Sequence, residues 1–311
     1  MRLPLVSRLI VPALAAWPAS LLMALLALPA WAADSPTLQR IRDTGVIVIG
    51  YRSTSLPFSY LDAKLKPIGY SMDLCERIVE AVAKRMELPD LEVKLIPVSS
   101  ATRLPMMANG TLDLECGVTT NTVERRKAQA FSLTTFVAES KLLSKKGSGV
   151  QTVDDLRGKP VSSTIGTTSI QFLNKLNQQR GLDIRILVGQ DDQEAFRAVQ
   201  TDRAVAFAMD DVLLRSLVAQ VSNPQDYQIA DTPLSVEPYG IGLNRDDPEF
   251  KQWVDEVLRG LFKSGEIATI YRKWFQSPIP PRGLNLQLPM SEAFKQLMRA
   301  PTDSPDPAHY R

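Results

Sequence analysis

The 311-residue sequence has one histidine, two cysteines and almost no net charge, and each scarcity removes a class of chemistry. The histidine, His309, stands in a proline-rich tail. A Ser-His-Asp or Cys-His arrangement needs an imidazole beside its nucleophile, and a zinc cluster needs more Cys and His ligands than the chain supplies. No catalytic residue, metal site or cofactor is therefore expected. The 36 Lys+Arg face 34 Asp+Glu, and the two basic residues of the first 32 positions, Arg2 and Arg8, account for the whole excess. A balance near zero gives no electrostatic reason to expect nucleic acid or an anionic membrane as partner. Internal repeats and low-complexity tracts are also lacking, and beyond residue 32 no stretch approaches the length of a membrane span.

What is present begins with a leader. Arg2 and Arg8 precede an almost wholly apolar run from Leu9 to Leu28, and Ala30-Trp31-Ala32 supplies the small-x-small pattern of a signal peptidase site. A membrane anchor is the alternative; Pro12, Pro18, Pro29 and the A-x-A end favour cleavage after Ala32, so 1–32 reads as a signal peptide and the chain as exported to the periplasm. In an exported chain the even pair Cys75 and Cys116 points to a disulfide, with two buried thiols as the alternative. About 280 residues remain, enough for two domains of ordinary size.

Those residues alternate strands with amphipathic helices. Ser35 opens a short helix that Gly45 ends, and Val46 to Ile49 reads as a buried strand. A helix from Ser71 to Met86, a strand from Leu91 to Val98, a helix capped by Ser99 or Ser100 and a strand from Leu112 to Cys116 follow. The pattern recurs: strands at Pro160–Ile165, Ile184–Val188 and Ala204–Met209 enclose helices from about Thr168 to Gln179 and Gln193 to Thr201. Strand–helix alternation of this kind predicts mostly parallel sheets covered by helices. Another strand lies near Tyr239–Leu243. Beyond it Phe250, Trp253, Val254, Val257, Leu258, Leu261 and Phe262 fall at helical spacing and read as core. The tail from Ser277 is rich in proline, with a short helix near Ser291 to Met298 and a disordered end, 301–311.

Two strand–helix loops carry the polar chemistry. Gly117-Val118-Thr119-Thr120-Asn121-Thr122-Val123-Glu124-Arg125 leaves amides and hydroxyls at an expected helix N-terminus, which favours an anion. Arg125, one turn into that helix, can fork onto a carboxylate; a capped helix with a solvated arginine is the alternative. Thr164-Ile165-Gly166-Thr167-Thr168-Ser169 repeats the arrangement in the second block, and Asp210 ends a strand where a carboxylate suits an ammonium. Ligands of open α/β sheets bind beyond the carboxyl ends of strands, so one loop from each block can close on one ligand. An anion site with a cation site matches the backbone of an α-amino acid.

The stretch Leu112-Asp-Leu-Glu-Cys-Gly-Val-Thr-Thr-Asn-Thr-Val-Glu-Arg125 with Ala130-Phe131-Ser132 resembles the signature of the amino-acid-binding proteins of ATP-driven (ABC) importers, bacterial solute-binding protein family 3. Tyr51-Arg52, Pro57-Phe58-Ser59-Tyr60, Ser99-Ser100-Ala101-Thr102-Arg103, Ala204 to Asp211 and Trp274-Phe275 with Pro278-Ile279-Pro280-Pro281 extend the likeness towards the glutamate/aspartate branch, from Leu38 to the tail. The resemblance implies a type II periplasmic-binding-protein fold, a two-lobed Venus flytrap, each lobe a mostly parallel sheet flanked by helices. It implies a monomer that delivers an amino acid to a membrane permease. Arg125 and Thr120 then hold the α-carboxylate, Asp210 the α-ammonium, and Thr164 and Thr167 close over the ligand. Arg52, Ser100 and Arg103 receive an acidic side chain, since two arginines aimed at one spot repel unless an anion arrives.

Two positions depart from that branch: Val118 stands where serine is usual and Asp192 where histidine is usual. Asp192 either caps a helix or points inward, where it neutralises an arginine and favours an amide ligand. Lobe one is expected over 38–138 plus 237–300 and lobe two over 139–236, joined by two extended crossings. An enzyme on the same fold, such as a dehydratase, and a receptor's sensing module are the competing classes. No general acid stands apart from the binding carboxylates, and no downstream membrane span or kinase-like segment follows.

Overall fold

A computed structural model describes residues 35–310; the expected signal peptide lies outside the described residues. In chain order the elements are α1 (Pro36–Thr44), β1 (Val46–Tyr51), β2 (Thr54–Ser55), β3 (Ser59–Leu61), β4 (Pro67–Ile68), α2 (Tyr70–Arg85), β5 (Glu92–Pro97), α3 (Arg103–Ala108), β6 (Leu114–Cys116) and β7 (Ala130–Lys145). They continue through β8 (Pro160–Thr164), α4 (Thr168–Arg180), β9 (Arg185–Gly189), α5 (Asp192–Gln200), β10 (Ala206–Asp210), α6 (Asp211–Val218), β11 (Tyr227–Ile229), β12 (Ser235–Leu243), α7 (Pro248–Ser264), α8 (Glu266–Phe275) and α9 (Glu292–Arg299).

The helices start where their sequences demand. Ser35 Oγ accepts from the Leu38 amide at 3.1 Å, Pro36 fills the first turn of α1, and Gly45 ends it at φ 66°. Asp247 caps α7 with Pro248 behind it, and Gly265 closes that helix at φ 77°. Two starts differ from expectation. α2 begins at Tyr70, while Ser71 Oγ turns away to donate to the Gly117 carbonyl at 2.7 Å. α3 begins only at Arg103, because Ser99 and Thr102 exchange side-chain bonds with each other's amides in a turn before it.

One continuous sheet carries both lobes, in the order β5-β1-β6-β12-β7-β10-β8-β9. β5, β1 and β6 run parallel on one side; β10, β8 and β9 run parallel on the other. Between them β7 and β12 form a long antiparallel ribbon, Ser235 opposite Ser140 through Leu243 opposite Ala130, with register shifts around Gly240. The sixteen residues of β7 escaped the sequence reading. They are buried on both faces for most of their length and so lack the in–out alternation that marks a strand. The core of the first lobe centres on aromatic rings: Phe58, Tyr70, Phe136, Tyr271 and Phe275 pack edge-on or stacked at 4.4–6.4 Å. Leu142, Val161, Leu173 and Leu182 form a separate apolar cluster in the second.

Cys75 and Cys116 are joined, tying α2 to the end of β6 across a Cα–Cα distance of 6.3 Å. Residues 301–310 are not disordered as expected. The Thr134 amide donates to the Thr302 carbonyl at 2.8 Å, Asn121 Nδ2 to the Asp303 carbonyl at 2.8 Å, and the Tyr310 hydroxyl lies 2.8 Å from Thr134 Oγ1. A segment whose regular structure is the single 3-10 turn Pro307–Tyr310 is held in place where its side chains and carbonyls find partners on the lobe. Among the described residues no helix is long and apolar enough to cross a membrane.

Candidate functional site

The anticipated residues gather where the sheet's parallel strands end. Arg52 follows β1, Ser100 and Arg103 follow β5, and Thr120 and Arg125 follow β6; Thr164 and Thr167 stand at the end of β8, Asp192 after β9, and Asp210 closes β10. A parallel strand delivers its last residue to the same sheet edge as its neighbours, so residues scattered over 160 positions meet. All nine are buried. Ser100, Arg103, Thr120, Arg125, Thr167, Asp192 and Asp210 line one cavity, floored by Val118, Met209 and Leu213. Arg52 and Thr164 do not line it but act on Asp192, which does.

The loop from Gly117 to Arg125 is not a helix N-terminus. Thr120 bridges to Tyr239, and Arg125 begins a single 3-10 turn, Arg125–Lys127. Arg125 is held instead by carbonyls: Nη1 donates to Thr120 O at 3.0 Å and Nη2 to Gly166 O at 3.1 Å. Gly166 belongs to the opposite loop, at φ 74°, and a Cβ there would stand 2.6 Å from the Ser100 carbonyl oxygen. Only glycine permits that approach. The two loops therefore touch across the cleft.

Charge is concentrated and only partly matched. Arg103 is 2 % exposed; its Nη2 reaches Gly166 O at 3.5 Å, while Nε and Nη1 make no hydrogen bond within the protein, nor does Arg52 Nη1. Burial, and then the neighbouring Arg125 and Arg52, pull the Arg103 guanidinium down to about 9. Burial also lowers Arg125, against the pull of Glu237, Asp210 and Glu115. Buried N–H donors on like-charged groups are costly unless an anion completes them.

The acidic groups sit at both ends. Asp192 does turn inward: it accepts from Thr164 Oγ1 at 2.7 Å, and burial raises its carboxyl while Arg52 and the Thr164 bond hold it down. Asp191, beside it, is the residue that caps α5. Asp210 caps nothing; one oxygen accepts from the Tyr239 hydroxyl and the other has no partner. Burial, then repulsion from Glu237, pushes Asp210 well up. An ammonium at the free oxygen would offset both by favouring the ionised carboxylate.

Three contributors were missed in the sequence. Tyr239 lay within a segment read simply as strand. Glu237 accepts from Thr168 Oγ1 at 2.7 Å. Glu115 is fully buried, with neither oxygen hydrogen-bonded, and acts on both Arg103 and Arg125. A glutamate between Leu114 and Cys116 in a buried strand was the signal available for Glu115.

Residues 47–277 match the family described as bacterial extracellular solute-binding proteins, family 3. The chain is 46% identical over 271 residues to a glutamate/aspartate import solute-binding protein of Salmonella typhimurium, spanning 87% of this chain and 90% of that one. It is 45% identical over 286 residues to an L-glutamate/L-aspartate-binding protein of Pseudomonas aeruginosa, spanning 91% and 95%. Among solved structures, a mutant of ArgBP from T. maritima superposes with a TM-score of 0.67 at 28% identity, over 76% of this chain and 98% of that one. The sheet, the cleft at its strand ends and these relatives agree: the chain belongs to family 3 of the bacterial extracellular solute-binding proteins.

Proposed function

We propose that this protein is the periplasmic binding component of an ABC importer and holds L-glutamate or L-aspartate between its two lobes before delivery to the membrane permease. The observation that carries the reading is the buried cluster Arg52, Arg103 and Arg125: Arg52 and Arg103 keep donors the protein does not use, and Arg103 and Arg125 line one small cavity with Asp210. Arg125 and Thr120 take the α-carboxylate, Asp210 the α-ammonium, and Arg52, Ser100 and Arg103 the side-chain carboxylate; Thr164 and Thr167 belong to the covering loop. The relatives named for glutamate and aspartate support the same choice. Lobe one comprises 38–138 plus 237–300 and lobe two 139–236, closing about the β7–β12 ribbon as a monomer. We read the activity as binding rather than catalysis: the sole histidine is exposed in the tail, 2.9 Å from Ser304 Oγ, and does not line the cavity.

Asp192 favours a second reading, in which its carboxylate cancels an arginine and an amide ligand, glutamine or asparagine, fits instead. Calorimetric titration decides. Glutamate or aspartate should bind tightly, and heat from the amides alone overturns the acidic ligand. Arg125→Ala should weaken every amino acid by about 2–5 kcal/mol, the cost of truncating one partner of a desolvated pair. Arg103→Ala should penalise the acids more than the amides; an equal loss for both would remove Arg103 from the side-chain site.

A further inference from the structure

Counted at the side-chain end of the cavity, the fixed charges already cancel. Arg52 and Arg103 bring two positive charges. Glu115 and Asp192 bring two negative ones, both groups at most 5 % exposed. Glu115 and Arg52 both border Gly117: a Cβ built there would stand 2.3 Å from Glu115 Oε1 and 3.0 Å from Arg52 Cγ. Asp192 faces Arg52, Arg103, the Thr164 hydroxyl, Asp191 on its own helix and Asp210 from β10. At the backbone end Arg125 and Asp210 match the two charges of an amino acid, and the buried Glu237 that acts on both leaves no positive charge over. An acidic ligand therefore carries one negative charge more than the closed cavity balances. An unbalanced buried charge is expensive, and a buried carboxylate usually avoids it by taking a proton.

Resting on the reading of the ligand as glutamate or aspartate, we propose that Asp192 takes up a proton when the acidic ligand binds, making it the residue that lets this site accept an acid while remaining balanced without one. Asp192 takes the proton because it lines the cavity and so meets the incoming carboxylate. A protonated Asp192 still accepts from Thr164 through one oxygen and offers an O–H to the ligand through the other. In the free protein the same group is ionised and its charge acts on both Arg52 and Arg103. Asp210 titrates too, but every amino acid brings it the same ammonium, so its contribution cancels between ligands and between variants.

Proton exchange on binding is read by titrating glutamate in buffers of different ionisation enthalpy near pH 7. Wild type should take up roughly one more proton than Asp192→Asn, and its affinity relative to the variant should fall by up to about tenfold per pH unit as pH rises, as linkage requires. Equal proton counts and parallel pH profiles overturn the inference. Should Asp192→Asn not fold, the comparison is made on wild type between glutamate and glutamine, the latter titrated at millimolar concentration. Uptake with glutamate exceeding that with glutamine by roughly one proton supports the proposal, and equal counts overturn it. Absence of binding by either acidic amino acid overturns the ligand assignment itself and this inference with it.

Discussion

Tyr239 gives its hydroxyl hydrogen to Asp210 and its ring to Phe58 and Phe136, at centroid distances of 5.4 and 6.0 Å. The two roles separate in Tyr239→Phe, which keeps the packing and deletes the donor. Affinity for every amino acid should fall, because Asp210 loses the donor that favours its ionised form. The donor also holds Asp210 down against burial and Glu237, so without it Asp210 stays protonated to higher pH. Capture of an ammonium needs the ionised form. The acid side of the binding profile should therefore move to higher pH in the variant; an unmoved profile would leave Tyr239 with packing alone. Residues of this kind explain what the sequence withheld. Arg125 and Asp210 were legible because each stands at or just beyond a strand end, and the fold decides where strand ends go; Arg52, Arg103 and Asp192 were singled out only through the resemblance to the glutamate/aspartate branch. Tyr239 and Glu115 lie within strands, and alternation along a strand does not reveal which face meets the cleft.

At the scale of elements, helix starts and stops were mostly readable because capping is local chemistry, and the 117–125 loop was not because its conformation is dictated from elsewhere. Its amide and carbonyl groups bond to Pro238 and to Gly240 on β12, partners more than a hundred residues away. Asp247 shows a cap that is both local and distant. Its carboxylate accepts from the Phe250 amide at 2.9 Å, capping α7, and from Ser35 Oγ at 2.7 Å and the Thr37 amide at 2.9 Å, securing α1. Asp247→Ala should cost about 2 kcal/mol in urea unfolding. Burial alone would raise this carboxyl, yet the bonds from Ser35, Phe250 and Thr37 hold it below the usual range. A depressed folded value means stability that is present above the unfolded value, about 4, and lost as pH falls through the folded one. The gap between wild type and Asp247→Ala should accordingly shrink as pH drops below about 4.

For the molecule as a whole, the bridge between Cys75 and Cys116 closes a loop of 41 residues within the first lobe, which in the chain-entropy view stabilises by about 3–4 kcal/mol. Urea unfolding with and without reductant should differ by that amount, and the unfolded, unreduced chain should take no thiol label. Two labels per chain would refute the pairing. The chain's two blocks were recognisable in the sequence as repeated strand–helix units; that one sheet runs through both was not, since it depends on β7 pairing with β12 across a hundred residues. That ribbon has a mechanical consequence. Two strands laced by ladder bonds resist stretching and shear but yield to bending and torsion, so the lobes are coupled by a stiff leaf spring rather than a slack tether. The leaf is weakest where its lacing slips, on either side of Gly240, next to the residue whose hydroxyl rests on Asp210. Under the proposed closure, flexing of the ribbon bears on the neighbourhood of Asp210, and filling the cleft and bending the ribbon become one mechanical coordinate.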